Sequence, residues 1–132
     1  MKVSDCTLLK PLQCGSDEPA VKVAKILRDN KQRRIIVVDR KGSPVGIIST
    51  TDMNNRVVAE NKQPSSLKAK DVMTSPIYLA CGIKENLDEI FKKMIKHESY
   101  FCPVTKDGKL YGVLTYGELM NKVRGADAKR KG

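Results

Sequence analysis

Two carboxylates in this chain each follow a hydroxyl by three residues, in matching surroundings. Asp52 follows Ser49 in Gly46-Ile47-Ile48-Ser49-Thr50-Thr51-Asp52, and Glu118 follows Thr115 in Gly112-Val113-Leu114-Thr115-Tyr116-Gly117-Glu118. A glycine and two aliphatics before the hydroxyl read as the end of a strand, and the residues after it as the first turn of a helix. First-turn N–H groups have no intrahelical partner and carry the positive end of the helix dipole, which suits an anion. A hydroxyl there can donate to a phosphate oxygen. A carboxylate three residues on can accept from two neighbouring hydroxyls, as a ribose diol offers. The same residue types also cap helices with no ligand present, so one copy alone leaves both readings open. The second copy favours a ligand.

Other chemistry-bearing residues are sparse. Arg33 and Arg34 precede an apolar run and suit either a phosphate clamp or a solvated strand start. The single histidine, His97, has no second ligand or nucleophile beside it in sequence and reads as the end of a helix, where a cation is favoured. Cys6, Cys14, Cys81 and Cys102 form no Cys-x-x-Cys pair, so no zinc pattern arises. They read as reduced, mostly buried thiols. A Walker-type loop and a paired-carboxylate context are both absent from the sequence, which argues against catalysis.

The elements that position these residues are written twice. Gly42 and Gly108 stand 66 positions apart, as do Gly46 and Gly112, while Cys14-Gly15 and Cys81-Gly82 stand 67 apart. The extra residue is expected in the loop after the first helix, and at the offset of 66 Val38 meets Val104. Each half is expected to run β-α-β-β-α. Short extended pieces fall at residues 11–13 and 77–80. In the first helix Ser16 or Asp17 caps, Pro19 suits the first turn, and Val23, Ile26 and Leu27 face the core. The matching stripe is Leu87, Ile90, Phe91, Met94 and Ile95. Residues 35–39 and 100–104 read as buried strands, and Gly42 and Gly108 as positive-φ hairpin residues. Return strands lead into second helices over residues 51–60 and 117–123. A linker at residues 61–68 separates repeat 1 (residues 1–66) from repeat 2 (residues 67–132), and a basic tail covers about 124–132. A half of this size is marginal alone, so the copies are expected to pack sheet to sheet.

The 132 residues carry 25 Lys and Arg against 15 Asp and Glu, a net charge of +10. Each half contributes +5, with 12 basic and 7 acidic residues in the first and 13 and 8 in the second. Such a balance attracts polyanions. No apolar run is long enough to span a membrane and the start lacks a signal-peptide core, so a cytoplasmic protein is expected.

The residues quoted so far carry a resemblance. "RRIIVVDRKGSPVGIISTTDM", "SYFCPVTKDGKLYGVLTYGEL" and "KDVMTSPI" resemble tandem cystathionine-β-synthase (CBS) domains over nearly the whole chain. The resemblance implies an α/β fold of two pseudo-twofold repeats, a Bateman module, with two clefts between them. It implies a non-catalytic module that binds AMP, ADP, ATP or S-adenosylmethionine, forms a homodimer of CBS pairs, and signals to an unidentified protein in trans. In the first cleft it places Ser49 on phosphate or ribose and Asp52 on the ribose diol, with the adenine held by the other repeat, near Thr74, Ile77 and Tyr78 and at the strand start Tyr100 and Phe101. In the second it places Thr115 and Glu118, with Thr7, Leu12, Arg33 and Arg34. Glu118 departs from the usual Asp, and Tyr116-Gly117 alters the helix start, which ranks the Asp52 cleft first. The alternative is a basic adaptor binding nucleic acid or another polyanion through its surface and the Lys129-Arg130-Lys131 tail.

Overall fold

A computed structural model describes the backbone of residues 1–77 and 79–131 and the side chains of residues 1–77 and 79–125. The chain forms two compact units, Pro11–Ile77 and Met1–Lys10 with Tyr78–Gly132. They are called the first and second units below. The opening ten residues thus belong to the second unit, and Ala69–Val72, which follows the linker in sequence, belongs to the first.

The first unit holds β1 (Gln13–Gly15), α1 (Ala20–Asp29), β2 (Arg34–Val38), β3 (Pro44–Ser49), α2 (Thr50–Met53) and α3 (Ala69–Val72). Its sheet runs β1-β2-β3, with β1 parallel and β3 antiparallel to the central β2. The second unit holds β4 (Cys81–Gly82), α4 (Leu87–Lys96), β5 (Phe101–Lys106), β6 (Lys109–Thr115) and α5 (Tyr116–Lys131), with sheet order β4-β5-β6 and the same directions. The β-α-β-β-α plan is therefore present twice.

Each unit closes its own buried cluster. Ile35, Val37 and Ile48 from the sheet meet Val23 and Leu27 of α1 and Ala69 and Val72 of α3. Cys102, Val104 and Leu114 meet Ile90 and Met94 of α4 and Leu119 of α5. The helical stripes are as the apolar spacing requires, except that Ile95, in the last turn of α4, is exposed. At α1, Pro19 is itself the N-cap and no side chain caps the helix. Ser16 instead donates its N–H to the Val38 carbonyl, and Asp17 pairs with Lys70 at 3.2 Å.

Register corrects the expected alignment of the halves. Val37 pairs with Gly46, and Val104 with Gly112, so the counterpart of Val104 is Val37 and not Val38. The offset of 67 persists along the central strands, and the extra residue lies in the first hairpin turn rather than after the first helix. Gly42 (φ 85°) and Gly108 (φ 77°) supply the left-handed backbone those turns need.

The second helices also differ from expectation. In the first unit four α residues give way to a π-helical turn, Asn54–Val58. In the second, α5 continues to Lys131, so most of the expected tail is helical backbone. The side chains of Lys129, Arg130 and Lys131 lie outside the described residues, as does Tyr78. Among the described residues no helix is long and apolar enough to cross a membrane.

Candidate functional site

The first constellation begins where β3 ends. Ser49 is the N-cap of α2, and the two side chains of the phrase bond reciprocally. The Asp52 N–H donates to Ser49 Oγ at 3.0 Å, and the Ser49 N–H donates to Asp52 Oδ2 at 2.8 Å. This is a capping box. Ser49 Oγ accepts in it, so the hydroxyl keeps its own proton to donate.

A third residue joins them. The segment after α3 runs beside β3, with the Thr74 N–H donating to the Ile47 carbonyl at 2.8 Å and the Ile47 N–H to the Thr74 carbonyl at 3.1 Å. The Thr74 hydroxyl then donates to Asp52 Oδ1 at 3.2 Å. Gly46 makes this approach possible. A Cβ there would stand 2.5 Å from Met73 Sδ and 3.0 Å from the Thr74 carbonyl oxygen. The glycine that opens the phrase is thus a docking requirement for the neighbouring backbone.

Arg56 completes the group. Its Nη1 donates to the Met73 carbonyl at 2.6 Å and the Val72 carbonyl at 3.0 Å, and its Nε lies 3.9 Å from Asp52 Oδ1. The Asp52 side chain is 16% exposed. A carboxylate offers about four acceptor positions. Two are taken, by the Ser49 N–H and the Thr74 hydroxyl, which leaves capacity for a pair of hydroxyls.

The second constellation has the same parts in a different arrangement. The Glu118 N–H donates to Thr115 Oγ1 at 3.2 Å, but the Glu118 carboxylate accepts from the Thr7 N–H. The incoming segment pairs through Leu9, whose N–H and carbonyl both bond Val113 at 2.9 and 3.0 Å. Gly112 admits it, since a Cβ there would stand 2.9 Å from Leu8 Cβ. Thr7 sits two residues before the paired position, whereas Thr74 occupies it. The longer glutamate reaches a backbone N–H where the aspartate meets a hydroxyl.

Of the residues placed in the first cleft, Ser49, Asp52 and Thr74 are brought together. Thr74 and Ile77 do not come from the other repeat as expected: both lie in the same unit as Asp52, because residue 74 pairs with Ile47 of β3, and Ile77 is partly buried, while Tyr100 and Phe101 belong to the second unit. Of those placed in the second, Thr7, Thr115 and Glu118 meet, while Leu12, Arg33 and Arg34 belong to the first unit. Leu12 packs against that unit's core and its carbonyl accepts from the Ile36 N–H. Arg33 and Arg34 are exposed, and the Arg33 carbonyl accepts from the Thr50 N–H at 2.9 Å. The equivalent bond joins the Tyr116 N–H to the Tyr100 carbonyl at 2.8 Å. Around it stands an aromatic group found in the second unit. Tyr116 stacks on Phe91 with centroids 6.4 Å apart and meets Tyr100 edge-on at 5.9 Å.

Sequence reasoning missed Arg56 and the role of the two glycines. The signals were there. Asp52 and Arg56 are four residues apart on one helical face, and Gly46 and Gly112 recur at a fixed spacing. A depression of about 330 Å³ lies at the other end of β2, lined by Gly15, Asp17, Glu18, Val38 and Asp39 among others, and it contains none of the expected site residues. Burial pushes the Cys14 thiol up to about 11, and contact with Cys81 together with burial raises Cys102. Among the described residues no group of three or more His, Cys, Asp or Glu is placed to hold a metal ion.

Comparison with known proteins agrees with this architecture. The CBS domain pattern matches twice, over residues 3–59 and 69–125. The chain is 36% identical over 122 residues to the uncharacterized protein YlbB of Bacillus subtilis (strain 168), covering 89% of this chain and 79% of YlbB. It is 29% identical over 106 residues to the uncharacterized protein MK0525 of Methanopyrus kandleri, covering 78% of this chain and 53% of MK0525, so it spans about half the length of that relative. Among solved structures, the CBS domain pair of protein MJ0100, in complex with 5′-methylthioadenosine and S-adenosyl-L-methionine, aligns with a TM-score of 0.72 and 26% identity over 96% of this chain and 98% of that one. Two pattern matches that between them take in most of the sequence, in the halves where the two sheets lie, mean that the chain belongs to the CBS domain family.

Proposed function

We propose that this protein is a regulatory, non-catalytic module that binds an adenosine-containing ligand, and that Asp52 reads the ligand's ribose. One observation carries the reading. Ser49, Asp52 and Thr74 converge at the start of α2, and the Asp52 carboxylate keeps acceptor capacity for two hydroxyls. Ser49 supplies a hydroxyl proton toward phosphate or ribose. The adenosine derivatives bound to the MJ0100 pair support the ligand class. AMP, ADP, ATP and S-adenosylmethionine all carry the required diol. Occupancy would act on a partner protein in trans, with two copies of the chain paired as a homodimer. Such signalling works through a ligand's differential affinity for two states.

A thermal-shift series with these four ligands tests it, with Asp52→Ala alongside. A ligand at about 100 times its dissociation constant adds about 2.7 kcal/mol, which a chain of this size reports as several degrees. The expected result is a shift for at least one ligand that falls to about half or less in Asp52→Ala while that variant stays folded. No shift for any of them sinks the reading and turns attention to polyanions on the basic surface.

A further inference from the structure

Arg56 is the group around Asp52 that the ribose reading leaves without a task. It stands four residues after Asp52, in the π-helical turn Asn54–Val58. Such turns are frequent at functional sites. From there its guanidinium does two things. Through Nη1 it takes the carbonyls of Val72 and Met73, at 3.0 and 2.6 Å. Val72 ends α3, where carbonyls lack intrahelical partners and a cation is favoured. Through Nε it faces Asp52 Oδ1 at 3.9 Å. The next residue after Met73 is Thr74, whose hydroxyl occupies one acceptor position of that same oxygen.

We propose that Arg56 is a positioning residue for ribose recognition. It ties the segment carrying Thr74 to the carboxylate, and so decides which acceptor positions of Asp52 stay open to the diol. The inference rests on the proposed reading of Asp52 as the ribose group. The planar fork matters because one donor edge must hold the carbonyls while another faces the carboxylate. A lysine ammonium is a point donor and cannot span both. The second unit supplies a contrast in sequence, since Lys122 stands 66 positions after Arg56 on the helix that carries Glu118, and there the carboxylate has turned to a backbone N–H.

The test compares AMP with 2′-deoxy-AMP by calorimetry on the full chain, for wild type, Arg56→Ala and Arg56→Lys. Wild type is expected to prefer AMP by about tenfold or more, the discrimination a site gains from bonding a hydroxyl. Both variants are expected to bring that preference to within about threefold, with affinity for 2′-deoxy-AMP changed less than that. Failure of Lys to rescue separates the fork from the charge. Equal loss of both ligands, or an intact preference in the variants, overturns the proposal. A wild type that binds adenosine ligands without any 2′ preference, or binds none, overturns the ribose reading itself and this proposal with it. Amide exchange in the free protein gives a separate readout. The Ile47 and Thr74 amides should exchange faster in Arg56→Lys while Ile48 stays protected, and unchanged exchange at Ile47 and Thr74 counts against the tie.

Discussion

The two units carry the same phrase on the same sheet, yet their carboxylates do different work. In the first, Asp52 closes the capping box and meets the Thr74 hydroxyl. In the second, Glu118 leaves the box half closed and takes the Thr7 N–H. The difference starts from one methylene and from a two-residue shift in where the incoming segment pairs, Thr74 against Ile47 in one unit and Leu9 against Val113 in the other. Repetition of a motif therefore preserves the scaffold more faithfully than it preserves the chemistry at its end.

If scaffold and chemistry are separable, their perturbations should separate too. The largest effect belongs to the central strands. Ile35 and Cys102 occupy equivalent positions, opposite Ile48 and Leu114, and both are fully buried. Ile35→Ala should cost about 2–5 kcal/mol, through lost burial plus the cavity left behind. Cys102→Ala removes a single heavy atom and should cost about 1 kcal/mol. Denaturant unfolding would measure both, and equal costs would mean that the units do not divide their packing as the buried clusters imply.

Next come the glycines. Gly46→Ala forces a methyl against a backbone carbonyl 3.0 Å away as well as Met73, whereas at Gly112 the nearest carbonyl is at 3.4 Å and the obstacle is Leu8. Overpacking of this kind costs about 1–3 kcal/mol, with Gly46 toward the upper end and Gly112 toward the lower. Reversal of that order would show that the segment after α3 yields more easily than residues 8–9. Ligand binding should then separate the carboxylates. Asp52→Ala is expected to weaken the best adenosine ligand about 10- to 100-fold, on the scale of hydrogen bonds to a charged group. Glu118→Ala should change it less than about threefold, and titration calorimetry on the two variants decides the matter.

What could be read beforehand follows the same division. The apolar stripes of α1 and α4, the paired hairpin glycines and the Gly-to-carboxylate phrases are local patterns, and they stand in the structure apart from the exposed Ile95. The location of the inserted residue was not legible, because either loop of the first half can absorb one residue without disturbing the hydrophobic periods. Only the pairing of Val37 with Gly46 decides it. Nor was the allocation of Ala69–Val72 to the first unit legible, since it depends on a contact across the linker and on a glycine whose partner is remote in sequence. Ser16 and Asp17 illustrate the opposite error. Both have good capping side chains, but the chain enters α1 through Pro19, and a tertiary ion pair with Lys70 engages Asp17 instead.

The smallest expected difference is also the most direct test of how the boxes are closed. Ser49→Ala removes an oxygen that accepts from Asp52 while Asp52 bonds back to the Ser49 N–H, and losing such a cap costs about 1 kcal/mol. Thr115→Ala removes only a one-way bond from the Glu118 N–H, at the start of a helix that continues for 16 residues where α2 has 4. The long helix has Leu119 in the second unit's core to hold it in place, so this cap should matter less, at about 0.5 kcal/mol, the low end of the range. Thermal unfolding of the two variants side by side resolves the gap. If Thr115→Ala proves the costlier, the second helix start depends on its hydroxyl in a way that the turn of Glu118 toward Thr7 does not explain, and the asymmetry between the units lies in the helix and not in the carboxylate.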